Sequence, residues 1–284
     1  MENINWYPGH MKKTRELIQE NLKFVDAVIE VIDARIPESS RNPIINELTA
    51  QKTRIIILNK SDLADPASTM EWKKKLETQG TVLAINSNSG EGTKSLITLL
   101  AKMRDEKNSG KERKRPFRVM IVGIPNVGKS SLINRLTGAK SARTGNKPGV
   151  TRGKQWLNLG EDIDLLDTPG ILWPKFEDPN VGENLAFCGS IKDEIMDLST
   201  LGMDLIGKLC KIAPEKLKTR YKLDEILPDA SGEYDTKEAA LENMEAIAKK
   251  RGFILPGKRI DYERTARTVI DEFRSGTIGR ITLE

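Results

Sequence analysis

In the first two-thirds of the chain, apolar positions fall into short, nearly unbroken runs. Ala27–Ala34, Arg54–Leu58, Thr81–Ile85 and Arg118–Val122 are β-branched and almost continuously apolar, as strands buried on both faces of a parallel sheet are. The amphipathic stretches Pro43–Ala50, Pro66–Gln79 and Gly92–Met103 predict helices between them. A tighter pair, Gln155–Leu159 and Ile163–Leu166, flanks Gly160-Glu161-Asp162 and predicts a hairpin. This alternation predicts an α/β domain with a mostly parallel sheet. After about Trp173 the period changes. Leu198, Leu201, Leu205, Leu209 and Ile212 form a helical stripe, as do Ala240, Leu241, Met244, Ile247 and Ala248, and then Ala266, Val269, Ile270 and Phe273. Asp235 or Thr236 is placed to cap the middle helix and Gly252 to end it. The expected division is an α/β domain over 1–174, with its N-terminal segment 1–23, and a small all-helical domain over 175–284.

Composition changes this picture little. With 284 residues, 38% hydrophobic and 31% charged, the chain can bury a core and is long enough for two domains. No run approaches the ~20 apolar residues of a membrane span, and MENINWYPGHMKK lacks the apolar centre of a secretory signal. Two cysteines, Cys188 and Cys210, are too few for a disulfide framework, so a reduced, cytoplasmic setting is expected. The net charge of +5 permits a polyanionic partner without requiring one. Lys107–Arg115, KNSGKERKR, reads as a basic linker or exposed loop.

Candidate chemistry changes the picture a great deal. Gly123-Ile124-Pro125-Asn126-Val127-Gly128-Lys129-Ser130 fits G-x-x-x-x-G-K-[ST], after a buried-type strand and before a helix-like segment, Ser131–Leu136. Backbone N–H groups of such a loop surround phosphate oxygens, Lys129 adds a point charge, and the Ser130 hydroxyl suits Mg²⁺. Asp167-Thr168-Pro169-Gly170 follows the next strand. There a carboxylate can hold Mg²⁺ and the Gly170 N–H can meet a γ-phosphate. Between them, Pro148-Gly149-Val150-Thr151 offers Thr151 to the same metal shell.

Asn59-Lys60-Ser61-Asp62 directly follows a strand. The Asp62 carboxylate can accept from both the ring N–H and the exocyclic amine of guanine, whereas adenine would leave it unmatched. Asn59 can brace the loop and the Lys60 stem can lie over the base. Asn86-Ser87, after a further strand, can offer backbone N–H groups to the guanine carbonyl. GTP and GDP are therefore the expected ligands. The order is unusual, because the base-reading motif precedes the phosphate loop. The same sheet forms if old termini are joined and new ones opened at a surface loop, with Lys107–Arg115 as the join. Asp167–Gly170 then adjoins the exit into the helical domain, and nucleotide state is expected to bias that domain's pose.

This order, with Trp6-Tyr7-Pro8-Gly9-His10-Met11 near the start, Asp33-Ala34-Arg35-Ile36-Pro37, Phe273-Arg274-Ser275-Gly276 and Gly279-Arg280-Ile281-Thr282-Leu283-Glu284, closely resembles the YlqF/RbgA family of circularly permuted GTPases over essentially the whole chain. The resemblance implies a GTPase acting late in assembly of the bacterial large (50S) ribosomal subunit. It also implies hydrolysis stimulated by that subunit and a helical domain that contacts rRNA. Where many GTPases carry a water-orienting glutamine after D-x-x-G, this chain has Ile171, which cannot hydrogen-bond through its side chain. The resemblance implies that His10, the single histidine, positions the water instead. It also makes Asn126 a candidate K⁺ ligand. Val127, Gly128 and Ser131 complete the expected phosphate cradle.

Lys208, Lys211, Lys216, Lys218 and Arg220, with Lys249-Lys250-Arg251 and Lys258-Arg259, form basic clusters that suit an RNA backbone or serve simply as solubilising charge. The expectation is a monomeric, Mg²⁺-dependent GTP hydrolase that matures the large subunit and leaves on hydrolysis. The alternative from another class is a GTP-dependent switch for a non-ribosomal protein partner.

Overall fold

The computed structural model describes residues 8–138, 155–173, 176, 178–226 and 236–284, and the side chains of 15–138, 156–173, 176, 178–226 and 237–284. Six strands form one sheet: β1 (Ala27–Asp33), β2 (Thr53–Asn59), β3 (Thr81–Ile85), β4 (Phe117–Val122), β5 (Gln155–Asn158) and β6 (Ile163–Asp167). Their spatial order is β3-β2-β1-β4-β6-β5, parallel except for the β5–β6 hairpin. Each predicted strand is found within a residue or so of its expected bounds. All of β1 and all but the first residue of β2 are buried.

Side chains alternate between two faces. Ile29, Val31, Ile55, Ile57, Val119, Ile121 and Leu165 belong to one apolar cluster. Val28, Met120, Val122 and Leu166 belong to a second, with Ile18 of α1 (Pro8–Leu22) and Ile45 of α2 (Pro43–Thr49). Ile32, Ile56 and Leu58 belong to a third, with Leu76 of α3 (Pro66–Leu76). Glu30, in the middle of β1, is buried and accepts from Arg54 of the neighbouring strand at 2.5 Å. Pairing keeps this carboxylate affordable in the sheet interior.

Helix α4 (Thr93–Asn108) runs five residues beyond its predicted end and takes up the start of the expected linker. Lys107 is drawn inward there, its ammonium donating to Asp26 at 2.7 Å and to the Pro116 carbonyl at 2.9 Å. Helix α5 (Lys129–Thr137) follows β4 across the phosphate loop.

The C-terminal third holds α6 (Pro179–Phe187), α7 (Leu198–Ile212), α8 (Pro214–Tyr221), α9 (Thr236–Arg251) and α10 (Tyr262–Arg274). Helix α7 packs on both α9 and α10. Most predicted stripe residues are buried, but Ile212 and Leu241 are exposed, one at the last turn of α7 and the other beside the buried face of α9. The all-helical expectation needs one correction. β7 (Ile254–Leu255) and β8 (Arg259–Ile260) form a short antiparallel ribbon between α9 and α10. A single apolar cluster joins Ile29 and Ile121 of the sheet through Leu172, Leu185 and Phe187 to Leu205, Phe273 and Ile281.

Candidate active site

The strand order reverses between β1 and β4, and ligand crevices open at such a point beyond the strands' C-terminal ends. The phosphate loop leaves β4 there and ends at Gly128, whose φ of +94° admits a side chain only with strain. Lys129 is buried and folds back onto its own loop, donating to the Gly123 and Ile124 carbonyls at 3.0 and 2.8 Å. Burial lowers its pKa to about 8, partly offset by Asp167. Ser130 and Ser131 lie half-buried in the first turn of α5.

Asp167 ends β6, paired in register with Ile121 of β4. It is buried, and its Oδ1 has no hydrogen-bond partner among the described residues. Burial raises its pKa to about 6 against the pull of Lys129. A hydroxyl, an unpartnered carboxylate oxygen and a loop built for phosphates suit Mg²⁺, which keeps water and phosphate oxygens among its ligands. Thr168 donates to the Ile121 carbonyl at 2.7 Å, anchoring the turn that carries Gly170. A Cβ placed on Gly170 would fall 2.9 Å from Lys129 Nζ, so the two motifs meet. Ile171 is buried in the cluster with Ile18 and Ile45, where its side chain faces the core.

Asn59 stitches the loops together. Its amide nitrogen donates to the Val127 carbonyl at 2.7 Å, and its oxygen accepts from Ser87 N at 3.2 Å and Ser87 Oγ at 2.7 Å. The Ser87 N–H is thus committed to Asn59. Asn86 Oδ1 in turn takes the N–H groups of Asn88 and Ser89 at 2.9 and 3.1 Å. Lys60, at φ +56°, sends its ammonium to Asp33 Oδ2 at 2.8 Å. Burial alone would raise the Asp33 carboxyl, but Arg35 and Lys60 outweigh it and hold it well below the usual carboxylate range.

Asn126 does more than the sequence suggested. Its amide nitrogen donates to the Gly189 carbonyl at 2.6 Å, linking the phosphate loop to the turn after α6. Thr151 lies outside the described residues, and so does the His10 side chain, although the His10 backbone belongs to α1. Sequence reasoning gave no structural role to Asp33 and Arg35, a buried pair with Arg35 Nη2 to Asp33 Oδ2 at 2.8 Å. Their only sequence signal was the D-A-R-I-P string at the end of a strand.

Six of the basic residues considered for RNA contact have partners within the chain, several of them at the exposed surface. Arg220 and Arg251 pair with Glu272, Lys249 with Glu245 and Lys250 with Asp224, while Lys208 donates to Asn184 and Lys216 to the Arg280 carbonyl.

Residues 118–231 match a family model described as a 50S ribosome-binding GTPase. The chain is 45% identical to the ribosome biogenesis GTPase A of Priestia megaterium, covering 99% of this chain and 96% of that protein. It is 35% identical to the mitochondrial ribosome-associated GTPase 1 of Mus musculus, over 98% and 89% of the two chains. Among solved structures, it is similar to GDP-bound TM YlqF with a TM-score of 0.65 and 28% identity, over 94% and 98% of the chains. The GNP-bound YlqF from T. maritima gives a TM-score of 0.62 at 27% identity, over 96% and 97%. The likeness extends across sheet, permuted motif order and helical part together, and the chain belongs to the ribosome biogenesis GTPase A family of circularly permuted GTPases.

Proposed function

We propose that this GTPase acts in assembly of the large (50S) ribosomal subunit in the cytoplasm, as a monomer that binds rRNA and leaves when GTP is hydrolysed. One observation carries the hydrolytic reading. Lys129 and Asp167 are buried at the depth of the phosphate loop with shifted pKa values, and one Asp167 oxygen has no partner among the described residues. Such a pair is costly to bury unless a phosphate and a cation complete it.

In the bound state Lys129 turns from its own loop carbonyls to the phosphates, beside the N–H groups of Val127, Gly128, Ser130 and Ser131. Ser130, Thr151 and Asp167 would hold Mg²⁺, which would supply positive charge against that of the phosphoryl group. Gly170 meets the γ-phosphate, and Asp62 reads guanine with Lys60 alongside. Ile171 faces the core, and the likeness to the family gives the orienting of the attacking water to His10. A K⁺ ion on the Asn126 amide oxygen would add positive charge where the transition state becomes more negative. The GTPase domain comprises 1–174 and the RNA-binding helical domain 175–284.

The test is GTP turnover by the purified protein, alone, with large subunits and with small subunits. Acceleration by large subunits only is expected. Equal turnover in all three arms, with subunits shown to bind, would refute the assembly role.

A further inference from the structure

The segment 280–282 lies against residues 61–65, the run that carries Asp62. Arg280 Nη2 donates to the Ser61 carbonyl at 2.8 Å and its Nε to the Ala64 carbonyl at 2.9 Å. The Ile281 N–H donates to the Leu63 carbonyl at 2.9 Å, and Thr282 Oγ1 accepts from the Asp65 N–H at 3.1 Å. Four residues that surround Asp62 in the chain are therefore fixed by three residues more than 200 positions away. The same segment continues along the end of β1. The Leu283 N–H donates to the Arg35 carbonyl at 2.8 Å, and Glu284 accepts from Ser39 N and Oγ at 2.8 and 2.6 Å.

Arg35 fastens this region to the helices. It is fully buried, donates to Asp33, reaches the Arg274 carbonyl at 3.3 Å and lies over the Phe273 ring at 5.3 Å. Asp33 is also the partner of Lys60. Both sides of the base-reading loop, Lys60 through Asp33 and Asp62 through residues 61–65, are thus held by contacts that run into the C-terminal part.

We infer that Arg280 is a positioning residue for guanine recognition: its guanidinium, spanning the Ser61 and Ala64 carbonyls, sets the loop so that Asp62 meets the base. This rests on the reading of Asp62 as the guanine-reading carboxylate. The two bonds converge from one planar, forked group, so they fix the direction of the loop as well as its distance. A lysine in its place lacks the rigid planar fork and would have to reach both carbonyls from a single nitrogen, so it holds the direction of the loop less well. Because the contact is made to backbone, it acts on the base through Asp62 and leaves the phosphate subsite alone.

The experiment measures binding of GDP and of inosine diphosphate, whose base lacks the exocyclic amine, to four full-length proteins: unmodified, Asp62→Ala, Arg280→Ala and the double variant. Asp62→Ala is expected to erase the preference for GDP; if the preference survives, the reading of Asp62 itself is wrong. With that reading intact, Arg280→Ala should weaken GDP binding by about tenfold and inosine diphosphate binding by less, lowering the preference. In the double variant the Arg280 change should add almost nothing. Equal weakening of both nucleotides, or full additivity with Asp62→Ala, would overturn the inference, because a general loss of structure behaves that way. Arg280→Lys and Thr282→Val extend the same readout should Arg280→Ala fail to fold. Arg280→Lys is expected between the unmodified protein and Arg280→Ala in its preference for GDP, and a preference equal to that of the unmodified protein would count against the fork.

Discussion

Replacing Asp167 with asparagine should make the nucleotide-free protein more stable while disabling its chemistry. Burial lifts the Asp167 carboxyl from 3.8 to about 6, a displacement of about 2 pH units. At about 1.4 kcal/mol per unit, keeping this group ionised in the folded state costs about 3 kcal/mol near neutral pH. Burying the asparagine amide in its place costs roughly 1 kcal/mol, which leaves a gain of about 2 kcal/mol. In a chain of this size that is about 5 °C in Tm.

The pH dependence is specific. Between about pH 4 and 6 the folded carboxyl holds its proton while the unfolded one has lost it. The folded state then binds more protons, so stability falls as pH rises through that window and stays lower above it. The advantage of Asp167→Asn should therefore be full at pH 7.5, shrink below about pH 6 and disappear near pH 4. Lys129 works in the other direction. Its pKa falls from 10.5 to about 8, so the folded state releases its proton first and stability rises between about pH 8 and 10.5. Urea denaturation with EDTA and without nucleotide, across this pH range, reads both effects. A variant less stable than the parent at pH 7.5, or an advantage independent of pH, would refute the argument that the site is built at the expense of the apoprotein.

Gly128→Ala would place a Cβ 2.2 Å from Asn59 Nδ2 at a left-handed backbone position, and should cut GDP affinity at least roughly tenfold in a fluorescent-nucleotide titration. Gly202→Ala would set a Cβ 2.4 Å from that of Ala266 where α7 crosses α10, costing about 1–3 kcal/mol in thermal unfolding with little effect on GDP affinity. His10→Ala should bind GTP normally yet lose subunit-stimulated turnover, measured as phosphate release.

The sheet was legible because doubly buried strands write themselves as unbroken β-branched runs. Glu30 barely interrupts one, since its partner Arg54 comes from the neighbouring strand and leaves no local trace. The phosphate and base loops were legible because their glycines, lysine and carboxylates have fixed spacing around a small ligand. The β7–β8 ribbon was not, because two-residue strands with exposed Ile254 and Leu255 have no period to detect. Nor was the path of residues 280–284, whose hydrogen bonds cross the fold to residues 61–65, Arg35 and Ser39. The Asn126 contact with Gly189 and the internal pairing of Arg220, Arg251 and Lys250 depend on helix packing that charge runs alone do not encode.

The separation of 219 positions between Ser61 and its partner Arg280 bears on how the protein is made. Strand β2 and the base-reading loop emerge early, but three of the loop's carbonyls wait for donors translated more than 200 residues later. At about 5–20 residues per second the interval is on the order of 10–40 s. A partly synthesised chain can fold its sheet during that time, yet holds its guanine-reading loop unbraced. Tight nucleotide binding thus becomes a property of a chain synthesised through Arg280, and a product truncated before it is a poor competitor for GTP.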